Sequence, residues 1–209
     1  MGLIIVGAGG FGREVLCWAR DAGMTVRGFT DSGAGEPRDD SAPVLGDLST
    51  VHFDPHDRFV IAVGDTVVRR RLAAQVWARG GRLATVIHPT AYVAATATIG
   101  DGAVICPFAM VGVWARLDAN VVVNTYASVA HDAELGSHVI LSPYATVNGN
   151  VRLGEGVFLG TSAVVTPGLD VGAWSKIGAG TVVTRRVPEG TLAIGTPPKT
   201  RVMFTPPAD

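Results

Sequence analysis

Residues 123–154, VNTYASVAHDAELGSHVILSPYATVNGNVRLG, decide the fold. Val123, Val129, Leu135, Leu141, Val147 and Leu153 stand at every sixth position. The register runs back through Leu117, Val111, Ile105 and Ile99 to Val93. It runs forward through Leu159, Val165, Val171 and Ile177 to Val183, without a break. A small or β-branched residue follows four positions later in nearly every case, as at Ala109, Ala115, Ala127, Ala133 and Ala145. A period of six matches neither the helix repeat of 3.6 nor the strand alternation of 2. It marks a parallel β-helix of hexapeptide repeats, whose three flat faces stack coil on coil. The aliphatic residues point inward, and small residues are expected to turn the corners. A β-sandwich with chance spacing is the rival, and so long an unbroken column speaks against it.

Upstream the pattern changes. LIIV at 3–6 reads as a buried parallel strand, followed by GAGGFG at 7–12 and an amphipathic helix. TVRGFTD (25–31), FVIAVGD (59–65) and RLATVIH (82–88) read as three further strands. Residues 32–58, rich in Gly, Pro, Asp and Ser, read as loop. TVVRRRLAAQVWARGG reads as a second helix with Thr66 at or near its N-cap. Strand–helix alternation predicts a small α/β domain with a parallel sheet. The expected division is 1–87 for this domain and 88–209 for the repeat and its tail.

Composition narrows the function classes. Hydrophobic residues make up 47% of the 209 and the net charge is -1, so a core can be buried and no electrostatic footprint for nucleic acid exists. Cys17 and Cys106 form no CxxC pair, which leaves no case for a disulfide framework or a zinc site. LIIV is too short to cross a membrane or to serve as a signal peptide. A cytoplasmic protein with no membrane partner is the expectation.

Three hexads make one coil, so residues 18 apart are stacked neighbours. His131 therefore sits between Val113 and Gly149, on strands roughly 4.8 Å apart. A histidine beside a bare glycine backbone suits acyl transfer. The imidazole can take a proton from an attacking amine or hydroxyl. The Gly149 N–H can receive the oxyanion. Asp132, or else Glu134, can orient the ring. On spacing alone, a surface histidine with a solvated neighbour remains an equal reading. His138, seven residues on, falls outside the register and reads as a surface residue. The GxGxxG pattern at Gly7, Gly9 and Gly12 places backbone N–H groups and a helix N-terminus where phosphates could sit, without naming the nucleotide. The RRR run at 69–71 is either an attractor of phosphates or a solvated helix face. Trp114 and Trp174 could each stack on a ligand or pack at a subunit contact.

The segments IIVGAGGFGREV, GFTDS, IAVGDTVVRRR, VIHPTAYV, VNTYASVAHDAELG and IGAGTVVTRRVPEG, with a GTPPK form of a tail motif at 195–199, carry a family resemblance across both halves. The chain resembles the sialic-acid O-acetyltransferase-like and nucleotide-aminosugar N-acetyltransferase family, the bacterial UDP-4-amino-sugar acetyltransferase type. The resemblance implies a Rossmann-like α/β domain followed by a left-handed β-helix. It implies acetyl transfer from acetyl-CoA, without a metal, to an amino group of a nucleotide-linked aminosugar, or to a sugar hydroxyl. His131 is then the general base and Asp132 its acidic neighbour. Gly149, Ile140, Thr161 and Ala179 fall on the oxyanion and coenzyme A side. Ile140 stands where the family often has a histidine that contacts acetyl-CoA. Gly9, Gly10 and Phe11 would hold the diphosphate. Asp31 and Ser32 would lie near the base or ribose, with Gly64 and Asp65 lining the same crevice. His88 has a structural role at the domain junction. Family members are homotrimers with sites between neighbouring prisms, and the apolar stretches VVVNTY and VILSPY are expected to be covered in that way. A carbonic anhydrase of the same fold would need three histidines converging on zinc, and His88, His131 and His138 lack the spacing. A non-catalytic nucleotide-sugar binding protein is the remaining rival.

Overall fold

The computed structural model describes residues 2–33, 42–195 and 199–203. Within the GTPPK stretch, residues 196–198 lie outside this set, so the tail motif is not described as a unit. The N-terminal region is a three-stranded parallel sheet in the order β2-β1-β3, from β1 (Leu3–Val6), β2 (Val26–Thr30) and β3 (Arg58–Ile61). Helix α1 (Gly10–Asp21) buries Val15, Leu16, Trp18 and Ala19, and α2 (Thr66–Ala78) buries Arg69, Ala73 and Val76. The α2 N-cap is Asp65, directly before Thr66: its carboxylate accepts from the Val68 N–H at 2.9 Å. A carboxylate at that point also faces the positive end of the helix dipole, which favours it over the hydroxyl.

The expected fourth strand divides. Leu83 makes a single bridge to Phe59, while β4 (Val86–Ile87) pairs with Val104–Ile105 and is the first rung of the repeat. From there the chain forms a parallel β-solenoid of about six coils with three sheets. Face I contains the rungs Val104–Ile105, Val122–Val123, Ile140–Leu141 and Phe158–Leu159. Face II contains Met110–Val111, Ser128–Val129, Thr146–Val147 and Val164–Val165. Face III contains Arg116–Leu117, Glu134–Leu135, Arg152–Leu153 and Asp170–Val171. The aliphatic column and the small column four residues later together fill the axis, with Ile105, Ala109, Val111, Ala127, Val129, Ala133 and Leu135 all buried.

The corners are not made by small residues. Every sixth residue from Gly102 to Gly180 has a positive φ, and ten of these are not glycine, including Phe108, Trp114, Asn120, Tyr126, Asp132, His138 and Tyr144. The left-handed conformation disfavours side chains by roughly 1–2 kcal/mol. An inter-coil hydrogen bond at the same residue offsets it: the Asp132 N–H donates to Val113 O at 3.0 Å, and the His138 N–H to Ala119 O at 2.9 Å. Because the amide rather than the side chain is fixed, the corner side chain is free to differ. At the I/II corner this yields a stack of Phe108, Tyr126 and Tyr144, with ring centroids 5.0 Å apart.

The N-terminal region docks on face I. Val104, Cys106, Val122 and Ile140 share one apolar cluster with Leu3, Ile5, Val15, Leu16 and Trp18. The apolar stretches VVVNTY and VILSPY are thus largely covered by the chain's own α/β region, leaving Tyr126 and Tyr144 exposed at their ends.

Candidate active site

The II/III corner places His131 and Asp132 side by side. Asp132 occupies the left-handed position, φ 57°, which turns its carboxylate back onto the preceding imidazole. His131 Nδ1 lies 2.8 Å from Asp132 Oδ2. An ionised carboxylate only accepts, so Nδ1 carries the proton and Nε2 keeps its lone pair. Both side chains are about half exposed. The imidazole lies over Gly149. A Cβ built at 149 would come within 2.6 Å of Cε1 and Nε2, so no residue but glycine leaves the ring in place. Among the described residues the Gly149 N–H donates to no protein acceptor. A base nitrogen and an uncommitted backbone donor therefore stand at one point of the surface. One coil below lie Val113 and Trp114, both exposed apolar side chains.

Glu134 is not the orienting carboxylate. It projects from face III between Arg116 at 3.9 Å and Arg152 at 3.4 Å. His138 is a correction to the sequence reading. It is 4% exposed, buried at the III/I corner under α2, with Nδ1 3.0 Å from Asn120 Nδ2. Burial, and then Arg69 and Arg70, lower its pKa to about 4, so the imidazole is neutral. His88 bonds Thr90 at 2.8 Å and Asp21 at 3.2 Å, tying the start of the repeat to α1. The three histidines thus go to three places. Among the described residues no group of His, Cys, Asp and Glu is arranged to hold a metal ion.

Ile140 is not beside His131. It faces outward from face I, but the α/β region covers it to 4% exposure, and its neighbours are apolar. Thr161 and Ala179 lie at the I/II corner, on the far edge of face II from His131. Trp174 is also covered: the Arg70 guanidinium sits 5.6 Å from its ring, and a Cβ at Gly156 would strike it at 2.2 Å. Trp114 is exposed. Cys106 is buried, and burial pushes its thiol pKa up, which makes it a poor nucleophile.

A second candidate feature lies at the carboxyl ends of β1, β2 and β3. Gly7 has φ 108°, and a Cβ at Gly12 would meet Gly7 O at 1.9 Å, so both glycines are needed for the tight strand–helix turn. Gly9 caps α1 without a side-chain bond, and there is open space at Gly9 and no contact closer than 4.0 Å at Gly10. That leaves the first α1 amides accessible, the arrangement that binds phosphates elsewhere. Asp31 is committed to the loop: Oδ2 accepts from the Ala8 N–H at 2.8 Å and Oδ1 from the Gly33 N–H at 2.9 Å. Below them is a cavity of about 410 Å³ whose lining includes Gly7, Asp31, Ser32, Asp47, Ser49, Arg71 and Gln75. Gly9, Gly10, Phe11, Gly64 and Asp65 are not part of that lining, and Asp65 is spent on its cap. Arg71 and Gln75 were within reach of the sequence. Val68, Arg71, Leu72 and Gln75 follow helical i, i+3, i+4, i+7 spacing and so share one face. Asp47 and Ser49 sit in the stretch that read only as loop.

Comparison with known proteins places these features in context. Residues 2–76 match the family model described as the PglD N-terminal domain. No match was found among curated protein sequences. Among solved structures, the acetyltransferase domain of PglB from Neisseria gonorrhoeae FA1090 superposes with a TM-score of 0.90 at 33% identity, covering 95% of this chain and 98% of that one. PerB from Caulobacter crescentus, solved in complex with CoA and GDP-perosamine, gives 0.89 at 33% identity over 96% and 97%. WeeI from Acinetobacter baumannii AYE gives 0.87 at 28% identity over 96% and 100%.

Proposed function

Because this chain belongs to the nucleotide-aminosugar acetyltransferase family, we propose that it transfers an acetyl group from acetyl-CoA to an amino group of a nucleotide-activated sugar in glycan biosynthesis. The observation that carries this reading is the His131–Asp132 pair lying over Gly149. In the reaction the sugar amine attacks the thioester carbonyl carbon and an N–C bond forms. The carbonyl π pair moves to oxygen, where the Gly149 N–H stabilises it. His131 Nε2 takes the proton that the amine releases, and Asp132 stabilises the resulting imidazolium. Collapse breaks the C–S bond, and the imidazolium returns a proton to the departing coenzyme A thiolate. No covalent acyl-enzyme is required.

The nucleotide end of the acceptor is assigned to the glycine turn and the cavity beside it, with the diphosphate at the Gly9–Gly10 amides and Arg71 and Gln75 on the base or ribose. The α/β region is taken as a Rossmann-like domain that ends before Val86–Ile87, the first rung of the repeat. The remainder of the chain is taken as a left-handed β-helix with its tail. These regions pose a geometric problem for one chain. The α/β region covers face I and the III/I corner, while His131 stands at the corner opposite face I. A sugar held by one chain is therefore aimed away from that chain's own histidine. A homotrimer, in which each site joins His131 of one prism to the neighbour's nucleotide domain, removes the difficulty. Thr161 and Ala179, at the other corner of face II, would then approach the coenzyme A from the adjacent prism. Ile140 has no part in this site. Among the described residues no helix is long and apolar enough to cross a membrane, and a cytoplasmic location fits the coenzyme A and nucleotide substrates.

The test is a mass-spectrometric screen of GDP- and UDP-linked 4-amino and 3-amino sugars with acetyl-CoA, with thiol release followed in parallel. An acetylated sugar with stoichiometric coenzyme A is expected. Acetyl-CoA left intact with every amino sugar would overturn the reading.

A further inference from the structure

The three consecutive arginines of α2 leave the helix in three directions, since each residue turns it by about 100°. Arg71 lines the nucleotide cavity. Arg70 pairs with Glu155 at 3.5 Å and lies over Trp174. Arg69 is fully buried and reaches from the α/β sheet to the prism. Its Nη1 donates to the carbonyl oxygens of Ile61 and Val63, at the end of β3. Its Nη2 donates to the Asn120 carbonyl at 3.0 Å and to Asn120 Oδ1.

The orientation of the Asn120 amide follows from this. A guanidinium only donates, so Oδ1 must face Arg69 and Nδ2 must face away. Nδ2 then lies 3.0 Å from His138 Nδ1 and 3.4 Å from the Arg69 carbonyl. His138 must accept at Nδ1, so it is neutral and its proton sits on Nε2, 3.8 Å from Glu155 Oε1. Burial lowers the Arg69 pKa to about 9, still above neutrality, so a positive charge is held there by carbonyl and amide oxygens.

Apolar packing already joins the two regions through the cluster on face I. Such packing is non-directional. Burying a charge without a carboxylate partner is costly, and an alkyl side chain would fill the space at less expense. What the guanidinium adds is direction, because its fixed fork meets two carbonyls of one region and two oxygens of the other. We propose that Arg69 and Asn120 form a latch that sets the aim of the nucleotide cavity relative to the prism. They are positioning residues for the transfer reaction. The proposal rests on the nucleotide-aminosugar reading above. The cavity is lined wholly from within the α/β region, by α2, by the ends of the strands and by the loop of Asp47 and Ser49, so its internal geometry survives loss of the latch while its direction does not.

Asn120→Gly is the informative variant. Asn120 has φ 60°, which glycine adopts freely, and the backbone carbonyl that Arg69 uses is retained. The melting temperature should move by only about 2–4 °C. GDP or UDP affinity by calorimetry and the KM for acetyl-CoA should stay within twofold. With the best acceptor of the amino-sugar screen, GDP-perosamine included, kcat should fall by about tenfold or more, as small misplacements of reacting groups do. Arg69→Lys, which keeps the charge but not the fork, should lose less kcat than Arg69→Met. An Asn120→Gly enzyme with full kcat overturns the latch. So does a loss of nucleotide affinity and melting temperature that matches the loss of kcat. A wild-type protein that binds neither nucleotide overturns the underlying reading instead, and the latch with it.

Discussion

Two corners of the same solenoid carry a histidine, seven residues apart, and the two histidines have opposite characters. At the II/III corner His131 is half exposed, hydrogen-bonded to a carboxylate and seated on glycine. At the III/I corner His138 is buried beneath α2, bonded to an amide and held neutral. Both corners use a positive-φ residue whose N–H bonds the coil before, but that residue is Asp132, just after His131, at the first and His138 itself at the second. The repeat itself is chemically indifferent. What stands over a corner decides whether its histidine can exchange a proton with a substrate or serves as a fixed acceptor in a core.

The largest effect expected from this contrast is at the open corner. His131→Ala should lower kcat by about 10²- to 10⁴-fold, the usual range for a lost general base, with the circular-dichroism spectrum and assembly unchanged. Near-normal turnover would remove the mechanism. Next is Gly149→Ala. Its Cβ would stand 2.6 Å from the imidazole, so the ring must swing away, and kcat should drop by about 10²-fold while nucleotide affinity holds. An alanine variant of full activity would show that the ring does not act from this position. Asp132→Asn should cost less than loss of His131, because the carboxylate orients the base without taking the substrate proton. If the asparagine variant were the worse of the two, the roles would need to be exchanged.

The covered corner should respond to pH rather than to substrate. The folded pKa of His138 is lowered from 6.5 to about 4, so the unfolded chain binds the proton first as pH falls. Its contribution is fully present above pH 6.5 and is lost progressively between 6.5 and about 4. His138→Asn keeps an acceptor for Asn120 and suits the positive φ. Its melting temperature should decline less steeply than wild type across that window. Parallel curves would mean that His138 does not titrate as a buried base.

The solenoid was legible because its core is periodic: each inward position repeats a single demand, an aliphatic side chain every six residues. Gly149 was legible because stacking by 18 is arithmetic. The corners were not, because an inter-coil amide bond fixes the turn and lets Phe108, Trp114 or His138 occupy it, against the usual preference for small residues. His138 was misread, and the cover over Ile140 was not foreseen, because both look outward from the repeat. Only the docking of α1 and α2 turns those positions into interior, and no repeat register contains that information. The arginine run hid three destinations in one composition signal. The start of α2 was legible to within one residue: the cap is Asp65, whose carboxylate faces the positive end of the helix.

The proposed function has the nucleotide cavity of one chain serve His131 of its neighbour, so that each site is built from two chains. Co-expression of two inactive variants tests it directly. His131→Ala lacks the base. Gly9→Asp places a carboxylate where the diphosphate would bind, at an N-cap with open space, so α1 should still form. With random mixing of the two variants in trimers, about a quarter of all sites would join an intact pocket to an intact histidine from the neighbouring chain. The account predicts that co-expressed protein regains acetyl transfer to that extent while each variant alone has none. A mixed preparation as inactive as its parents would contradict it.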